Sequence, residues 1–336
     1  MQLTESLTTL TSRARPPWLQ SGWIAFGIRR AGGLLFSLAL LVVITFLIVP
    51  LLPGDPAVAI LGTKATPEAV EALRDKMGLN DPLPVQFLHY LGNIFQGELG
   101  TSFRYGIPVN DIIATKLPYT AALAFGSIIA VLVVAIPLGM AVGVATGGGK
   151  RAQLATSFGT VAGFLASFPA YVAGTLLVMI FAIWLRVLPA GGVSEPGALV
   201  LPIAALAFGP TFAMARIVRQ ETYTVLQQDF MRTARGHRLK AIRLYIVHAL
   251  PNLMSSTLTL TGLILAGLIG GTIIIESVFS YPGLGLEVVQ SIIYKDFPNI
   301  QGIILVIGFI AIVINLLVDI ILGLIDPRTL EGPDNG

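Results

Sequence analysis

Long apolar stretches alternate with short polar patches along nearly the whole chain. Six runs contain no Asp, Glu, Lys or Arg: residues 31–54, 117–149, 152–185, 196–215, 244–275 and 297–318. A hydrocarbon core of about 30 Å takes roughly 20 apolar residues of helix, and each run is long enough. The pattern therefore predicts an all-α polytopic membrane protein with six spans. The runs starting at 117, 152 and 244 exceed one crossing, which calls for tilt or overhang. Pro137 and Pro169 fall inside two of them, where a kink needs packed neighbours to satisfy the freed carbonyls. The first run follows Arg29 and Arg30 and precedes Ala57-Val58-Ala59, as a cleaved signal would. It is too long for a signal core, and Pro53-Gly54-Asp55-Pro56 intervenes, which favours a retained span.

Between the first two spans lies a long loop, 55–113. Within it, "TPEAVEALRDKMGL" predicts a short helix, capped by Thr66, with Pro67 in the first turn and Gly78 at the end. Ala69, Leu73 and Met77 form an apolar stripe that suits a helix folded over the mouth of the bundle. Gly97, Gly100 and Gly106 punctuate turns further on. Inside the spans, Gly139, Gly143 and Gly147 recur at intervals of four, as do Gly262, Ala266 and Gly270, a spacing that lets helix backbones approach closely in lipid.

Composition agrees with the pattern. The 336 residues are 54% hydrophobic and 12% charged, against about 25% charged in a soluble domain. Charge distribution orients the spans. Arg13, Arg15, Arg29, Arg30, Lys150, Arg151, Arg216, Arg219, Arg232, Arg235, Arg238, Lys240, Arg243 and Arg328 make fourteen basic residues on one side, against seven on the other. The positive-inside rule places the fourteen in the cytoplasm, with both termini. The expected organisation is a cytoplasmic extension at 1–28, a transmembrane domain at 29–328 with its external loop at 55–113 and a cytoplasmic loop at 222–247, and a tail at 329–336.

Several chemistries are excluded. There are no cysteines, and the histidines are His89, His237 and His248, with no helical ligand spacing; no metal site is expected. Gly147-Gly148-Gly149-Lys150-Arg151 lacks the first glycine and closing hydroxyl of a nucleotide-binding loop. No nucleophile elbow or carboxylate pair is evident, so no catalytic residue is expected. Any energy-driven work draws its energy from another chain. A net charge of +3 implies no nucleic-acid partner.

The stretch "RTARGHRLKAIRLYIVHALPN", residues 232–252, is the most polar in the chain. Asp229 can cap a helix ahead of it. Met231, Ala234, Ala241, Ile242, Tyr245 and Ile246 then share one side at helical spacing, with Arg232, Arg235 and Arg243 on another. Such a basic amphipathic helix has three readings: a headgroup-bound helix, a topology signal, or a docking element for a cytoplasmic partner. The pattern alone leaves all three open.

This stretch resembles the EAA loop of membrane subunits of ATP-binding-cassette importers, in the dipeptide, oligopeptide and nickel version. The resemblance is carried by Asp229, Phe230, Thr233, Ala234, Arg235, His248, Ala249, Leu250 and Asn252, with Pro251 restoring the broader Leu-Pro. "PGDPA", "ATPEAVEALRDKMGLNDPL", "GELGTS", "GGTIIIESVFSYPGLG" and "NLLVDIILGLIDPR" are similar to further segments of that family, in order, over about residues 29–328. Arg238 stands where the family has a glycine that ends the helix, while Gly236 lies two residues earlier.

The resemblance implies a type I importer permease fold in a bacterial cytoplasmic (inner) membrane. It implies a second homologous permease subunit, two ABC ATPase subunits that carry ATP and Mg, an extracytoplasmic substrate-binding protein, and peptides or related small solutes as cargo; this chain itself binds no cofactor. Residues 229–243 would dock in an ATPase cleft, their apolar side in its socket and Arg232 and Arg235 orienting them. Glu276 itself has two readings: a helix-end acid bonded to the loop that follows, or, with Tyr281, Pro282, Gly283 and Gly285, a residue that lines the external path or holds its gate. Asp319 is expected to bond a neighbouring helix, and these two are the only strongly internal acids legible in the sequence. The alternative classes are a secondary transporter or an integral-membrane enzyme.

Overall fold

A computed structural model describes residues 21–51, 54–62, 65–149, 151–237 and 239–325. Most of the extension expected at 1–28, the tail expected at 329–336, and Arg238 lie outside the described residues. Among the described residues the chain is helical, with a single isolated bridge between Thr101 and Pro108.

Helix α1 (Ser21–Leu51) begins inside the stretch read as an extension. Three short helices follow in the long loop: α2 (Pro56–Leu61), α3 (Pro67–Lys76) and α4 (Leu83–Phe95). Asp55 caps α2 by accepting from Ala57 N–H at 2.9 Å, and Thr66 caps α3 by accepting from Ala69 N–H at 3.3 Å. Gly78 has φ +68° where the α3 pattern predicts a stop. The apolar stripe of α3 covers less than expected: Ala69 is exposed, Leu73 and Met77 are half-buried, and no residue of the helix is buried. It packs on α2, where Arg74 lies 3.6 Å from Asp55. Helix α4 instead lies on α1: Phe46 meets Phe87 edge-on at 5.2 Å, and the Tyr90 hydroxyl donates to Thr45 at 3.0 Å.

The bundle continues through α5 (Val109–Ala145), α6 (Ala152–Ala166), α7 (Ala170–Leu177) with π-helical turns to Trp184, and α8 (Val200–Leu226). After α9 (Asp229–Gly236), the short α10 (Ala241–Arg243) runs through a π-helical segment (Leu244–Ala249) into α11 (Leu250–Val278). Helices α12 (Leu284–Tyr294) and α13 (Phe297–Ile325) complete it. Among the described residues, five helices are each long and apolar enough to cross a membrane, and a sixth crossing needs α6 and α7 together. The run 152–185 is thus not one kinked helix: α6 and α7 meet at 90° across Ser167–Pro169. Pro137, by contrast, is absorbed within α5. The fourth span is displaced from its expected 196–215 to Val200–Leu226, because Arg216, Arg219 and Glu221 continue the helix past the apolar run.

Helices α5 and α8 form the most extensive contact. Gly139 and Gly143 face α8 so closely that a Cβ at Gly139 would fall 2.6 Å from the Ala215 carbonyl oxygen, and one at Gly143 2.7 Å from Thr222. Around this seam Leu123, Val131, Ala135, Met214, Ala215 and Val218 are buried with Ile275, Phe279 and Tyr281. Gly262 likewise admits Val318 of α13, whereas Gly270 meets nothing within 4 Å. Asp319 pairs with Arg30, joining α13 to α1 as expected.

Candidate functional site

The basic end of the bundle carries α9, an eight-residue helix set across the ends of α5, α8 and α11. Gln228, not Asp229, is its N-cap residue; Asp229 is the first helical residue, 95% exposed, with Arg232 at 3.4 Å. The helix ends at Gly236, so the side anticipated through Ala241, Ile242 and Ile246 does not continue: Ile242 is 66% and Ile246 51% exposed. The inner face is Met231 and Ala234, buried among Val225, Leu226, Leu244, Ala249 and Leu253 of the same chain. For Met231 and Ala234 the chain itself thus supplies the socket, whereas Ala241, Ile242 and Ile246 of the expected apolar side are exposed. What remains outside is Asp229, Phe230, Arg232, Thr233, Arg235 and Gly236. Phe230 is 38% exposed.

Two clefts flank α9. Phe230, Thr233, His237, Leu239, Arg243 and His248 line one, and Tyr223, Gln227, Arg232, Arg235 and Tyr245 line the other. His248 Nδ1 is enclosed and has no hydrogen-bond partner among the described residues. Its carbonyl accepts from the Asn252 amide at 2.7 Å, while Leu250 and Pro251 begin the long α11. Pro251 follows the π-helical segment directly, and its missing N–H removes one helical hydrogen bond where the winding changes.

The opposite end is closed by its own side chains. Glu276, with no exposed surface, ends α11 against the start of α12. Its Oε2 accepts from the N–H groups of Gly285 at 2.6 Å and Leu286 at 3.1 Å, and its Oε1 accepts from the Thr120 hydroxyl at 2.7 Å. Thr120 in turn accepts from Leu284 N–H at 2.8 Å. The otherwise unpaired donors of the first turn of α12 are therefore satisfied by the oxygens of one carboxyl group and one hydroxyl. A Cβ on Gly283 or Gly285 would collide with the Glu276 carboxylate. Tyr281 is 2% exposed, its ring edge-on to Tyr119 at 5.8 Å, and Pro282 is half-buried beside it. Burial, with Glu276 and Tyr119 nearby, pushes the Tyr281 phenol above its ordinary pKa, so it stays neutral.

Two more acids are buried at this end, so Glu276 and Asp319 are not the only internal ones. Asp296, 0% exposed, accepts from the Ser102 hydroxyl and from the N–H groups of Phe103 at 3.0 Å and Arg104 at 3.3 Å. Glu287, 4% exposed, accepts from the Asn299 amide at 3.1 Å and has Lys116 at 3.7 Å. Arg104 lies 3.9 Å from the centre of the Tyr294 ring. The "GELGTS" turn is thus bound to the α12–α13 elbow. These partners stand far apart in sequence, and no local motif marks them.

Among the described residues, no group of three His, Asp or Glu is placed to hold a metal ion.

Comparison with known proteins agrees in kind. Residues 135–331 match the family described as "Binding-protein-dependent transport system inner membrane component", and residues 23–124 match the description of its N-terminal part. A Brucella abortus (strain 2308) protein named as a peptide transport system permease is 36% identical over 309 residues, covering 90% of this chain and 97% of the relative. The glutathione transport system permease protein GsiC of Salmonella typhimurium (strain LT2) is 37% identical over 300 residues, covering 89% and 97%. Among solved structures, a chain of the inward-facing MetNI methionine ABC transporter matches with a TM-score of 0.51 at 18% identity. The match covers 66% of this chain and 97% of that one, and it supports the type I importer permease fold.

Proposed function

Because the chain belongs to the family of inner-membrane components of binding-protein-dependent transport systems, we propose that it forms half of the path of an ATP-driven importer for peptides or a related small solute. It is a multi-pass permease of the bacterial inner membrane, and this replaces the alternatives of secondary transporter and membrane enzyme. The other half is a second, homologous permease subunit. An extracytoplasmic binding protein delivers cargo, and two ATPase subunits, each with its ATP and Mg, meet the cytoplasmic side. Peptide cargo is supported by the names of relatives that cover nearly the whole chain.

The observation that carries the coupling role is the division of α9 into two faces. Met231 and Ala234 hold it to the ends of the spans, while Phe230 and Thr233 are exposed beside an open cleft that Ala234 also borders. A short helix fixed to the bundle transmits displacement to the spans, and an exposed aromatic supplies the anchor for a partner's pocket. In this reading Phe230 takes the place in the ATPase cleft expected for the whole apolar side. At the other end, Glu276 with Tyr281, Pro282, Gly283 and Gly285 holds the outer gate closed by gripping α12. The test is peptide uptake and ATP hydrolysis by the reconstituted complex carrying Phe230→Asp. Assembly with hydrolysis uncoupled from uptake supports the reading; normal uptake refutes it.

A further inference from the structure

The bend at Ser167–Pro169 exposes main chain where lipid does not tolerate it. Helix α6 starts at Ala152, just past the basic Arg151, and its fifteen residues rise about 22 Å. That places the bend inside a hydrocarbon core of about 30 Å. Pro169 has no N–H, and among the described residues the carbonyls of Ala166, Ser167 and Phe168 accept no main-chain N–H. Gly209 of α8 covers part of this: a Cβ there would lie 3.1 Å from the Ala166 oxygen and 3.6 Å from the Phe168 oxygen. The Ser167 hydroxyl donates back to Phe164, and Ser167 and Pro169 remain exposed. Irregular backbone at membrane depth persists only where protein buries it or a water-filled cavity meets it.

The exposed face beyond the bend is hydroxylated. Tyr171, 50% exposed, and Thr175, also exposed, stand four residues apart on α7. Thr175 then borders an open cavity with Gly191, Val278 and Ser280, directly before the Tyr281 loop. Ser167, Tyr171, Thr175 and Ser280 thus mark a polar track from the gate loop to the bend. The exposed surface of α5 is apolar by contrast, as at Phe125, Ile129 and Val133, while Thr160 of α6 and Asn315 of α13 are exposed on other spans.

We propose that this track lines the translocation path, and that the substrate's backbone amides donate to the bend carbonyls and to the Ser167 and Thr175 hydroxyls. The protons of those two hydroxyls go to the Phe164 and Tyr171 carbonyls, while the Tyr171 hydroxyl can donate in return. This rests on the peptide reading above. Extended peptides present alternating donors and acceptors whatever their side chains, so main chain and hydroxyls without charge recognise the class and not one member. Binding of this kind is weak enough to release cargo.

The chain has no cysteine of its own, which makes thiol accessibility a direct test. Ser167→Cys and Thr175→Cys are made separately in the assembled transporter in inverted and right-side-out membrane vesicles, with Val133→Cys as the lipid-face control. The probes are a sulfonated, membrane-impermeant methanethiosulfonate and a lipid-soluble maleimide. The sulfonated reagent is expected to modify both track positions at least an order of magnitude faster than the control, and to block uptake. A transported peptide, supplied with the binding protein, should slow that modification. Labelling by the maleimide alone, or by neither reagent, overturns the proposal, the latter because the second subunit then covers the bend. Fast labelling that a transported peptide leaves unchanged overturns the substrate contact. Uptake by the unmodified complex is measured in parallel: if it moves no peptide but moves another solute that protects both positions, the peptide reading fails and the path assignment stands.

Discussion

The two ends of the bundle treat their polar side chains in opposite ways. At the α12 end, Glu276, Glu287 and Asp296 are all buried, and each finds donors within the chain, down to the backbone N–H groups of a helix start. At the α9 end, Arg232 is 73% exposed, with Asp229 as its acidic partner among the described residues, and Phe230 is partly exposed. Burial of a charge is costly unless it is paired and bonded, so the first arrangement is a self-sufficient structural closure. The second leaves its binding capacity unspent. The contrast separates a part that holds the chain together from a part made to meet another chain.

Substitutions can break this contrast, and the largest effect is expected inside α9. Ala234→Asp places a carboxylate in the apolar cluster of Met231, Leu244 and Leu253, where burial of a charge is costly. It should lower the thermal stability of the isolated chain in detergent, and not merely its response to the ATPase. Thr233→Asp, on the exposed face one residue earlier, should leave that stability unchanged. Equal melting of the two variants would dissolve the distinction between the faces.

Next comes Glu276. Alanine leaves the Gly285 and Leu286 N–H groups and the Thr120 hydroxyl without their acceptor, at about 1–3 kcal/mol for each buried group. The grip on α12 should loosen, seen as ATP hydrolysis in the absence of binding protein. Glu276→Gln keeps a carbonyl acceptor and should lie between alanine and wild type. Basal hydrolysis at the wild-type level in both variants would reduce Glu276 to a helix-end residue.

Thr120→Val removes the hydroxyl that bridges Glu276 and Leu284 and should give a milder form of the same phenotype, about 1–2 kcal/mol. Smallest of all is Arg30→Ala. The Arg30–Asp319 pair is partly exposed, and solvent limits such pairs to about 1 kcal/mol or less. A slight fall in melting temperature, with uptake unchanged, is the expected outcome.

The sequence made some of this legible and concealed the rest for definite reasons. Long uncharged runs identify spans because lipid demands them. Glycines at intervals of four, such as Gly139 and Gly143, announce a close helix contact without naming the partner. Thr66 and Gly78 bound α3 correctly because capping is local chemistry. Pro169 was visible, but nothing in the sequence tells a kink from a right-angle break, since the outcome depends on Gly209 of another helix. Met231 and Ala234 were rightly placed on an apolar face, yet amphipathicity does not say against what that face packs. The burial of Asp296 and Glu287 leaves no local sign, because Ser102 and Lys116, which meet them, belong to a distant part of the chain.

The central claim is that the exposed face of α9 seats the permease on an ATPase. The most direct measurement places single cysteines at Thr233 and at Gly236, against one in the cleft of the ATPase, and follows disulfide cross-linking through the hydrolytic cycle. The account predicts cross-links from both positions, with yields that change as nucleotide binds, and none from Met231→Cys on the buried face. Cross-linking from Met231→Cys, or none from Thr233→Cys and Gly236→Cys in a complex that still transports, would contradict it.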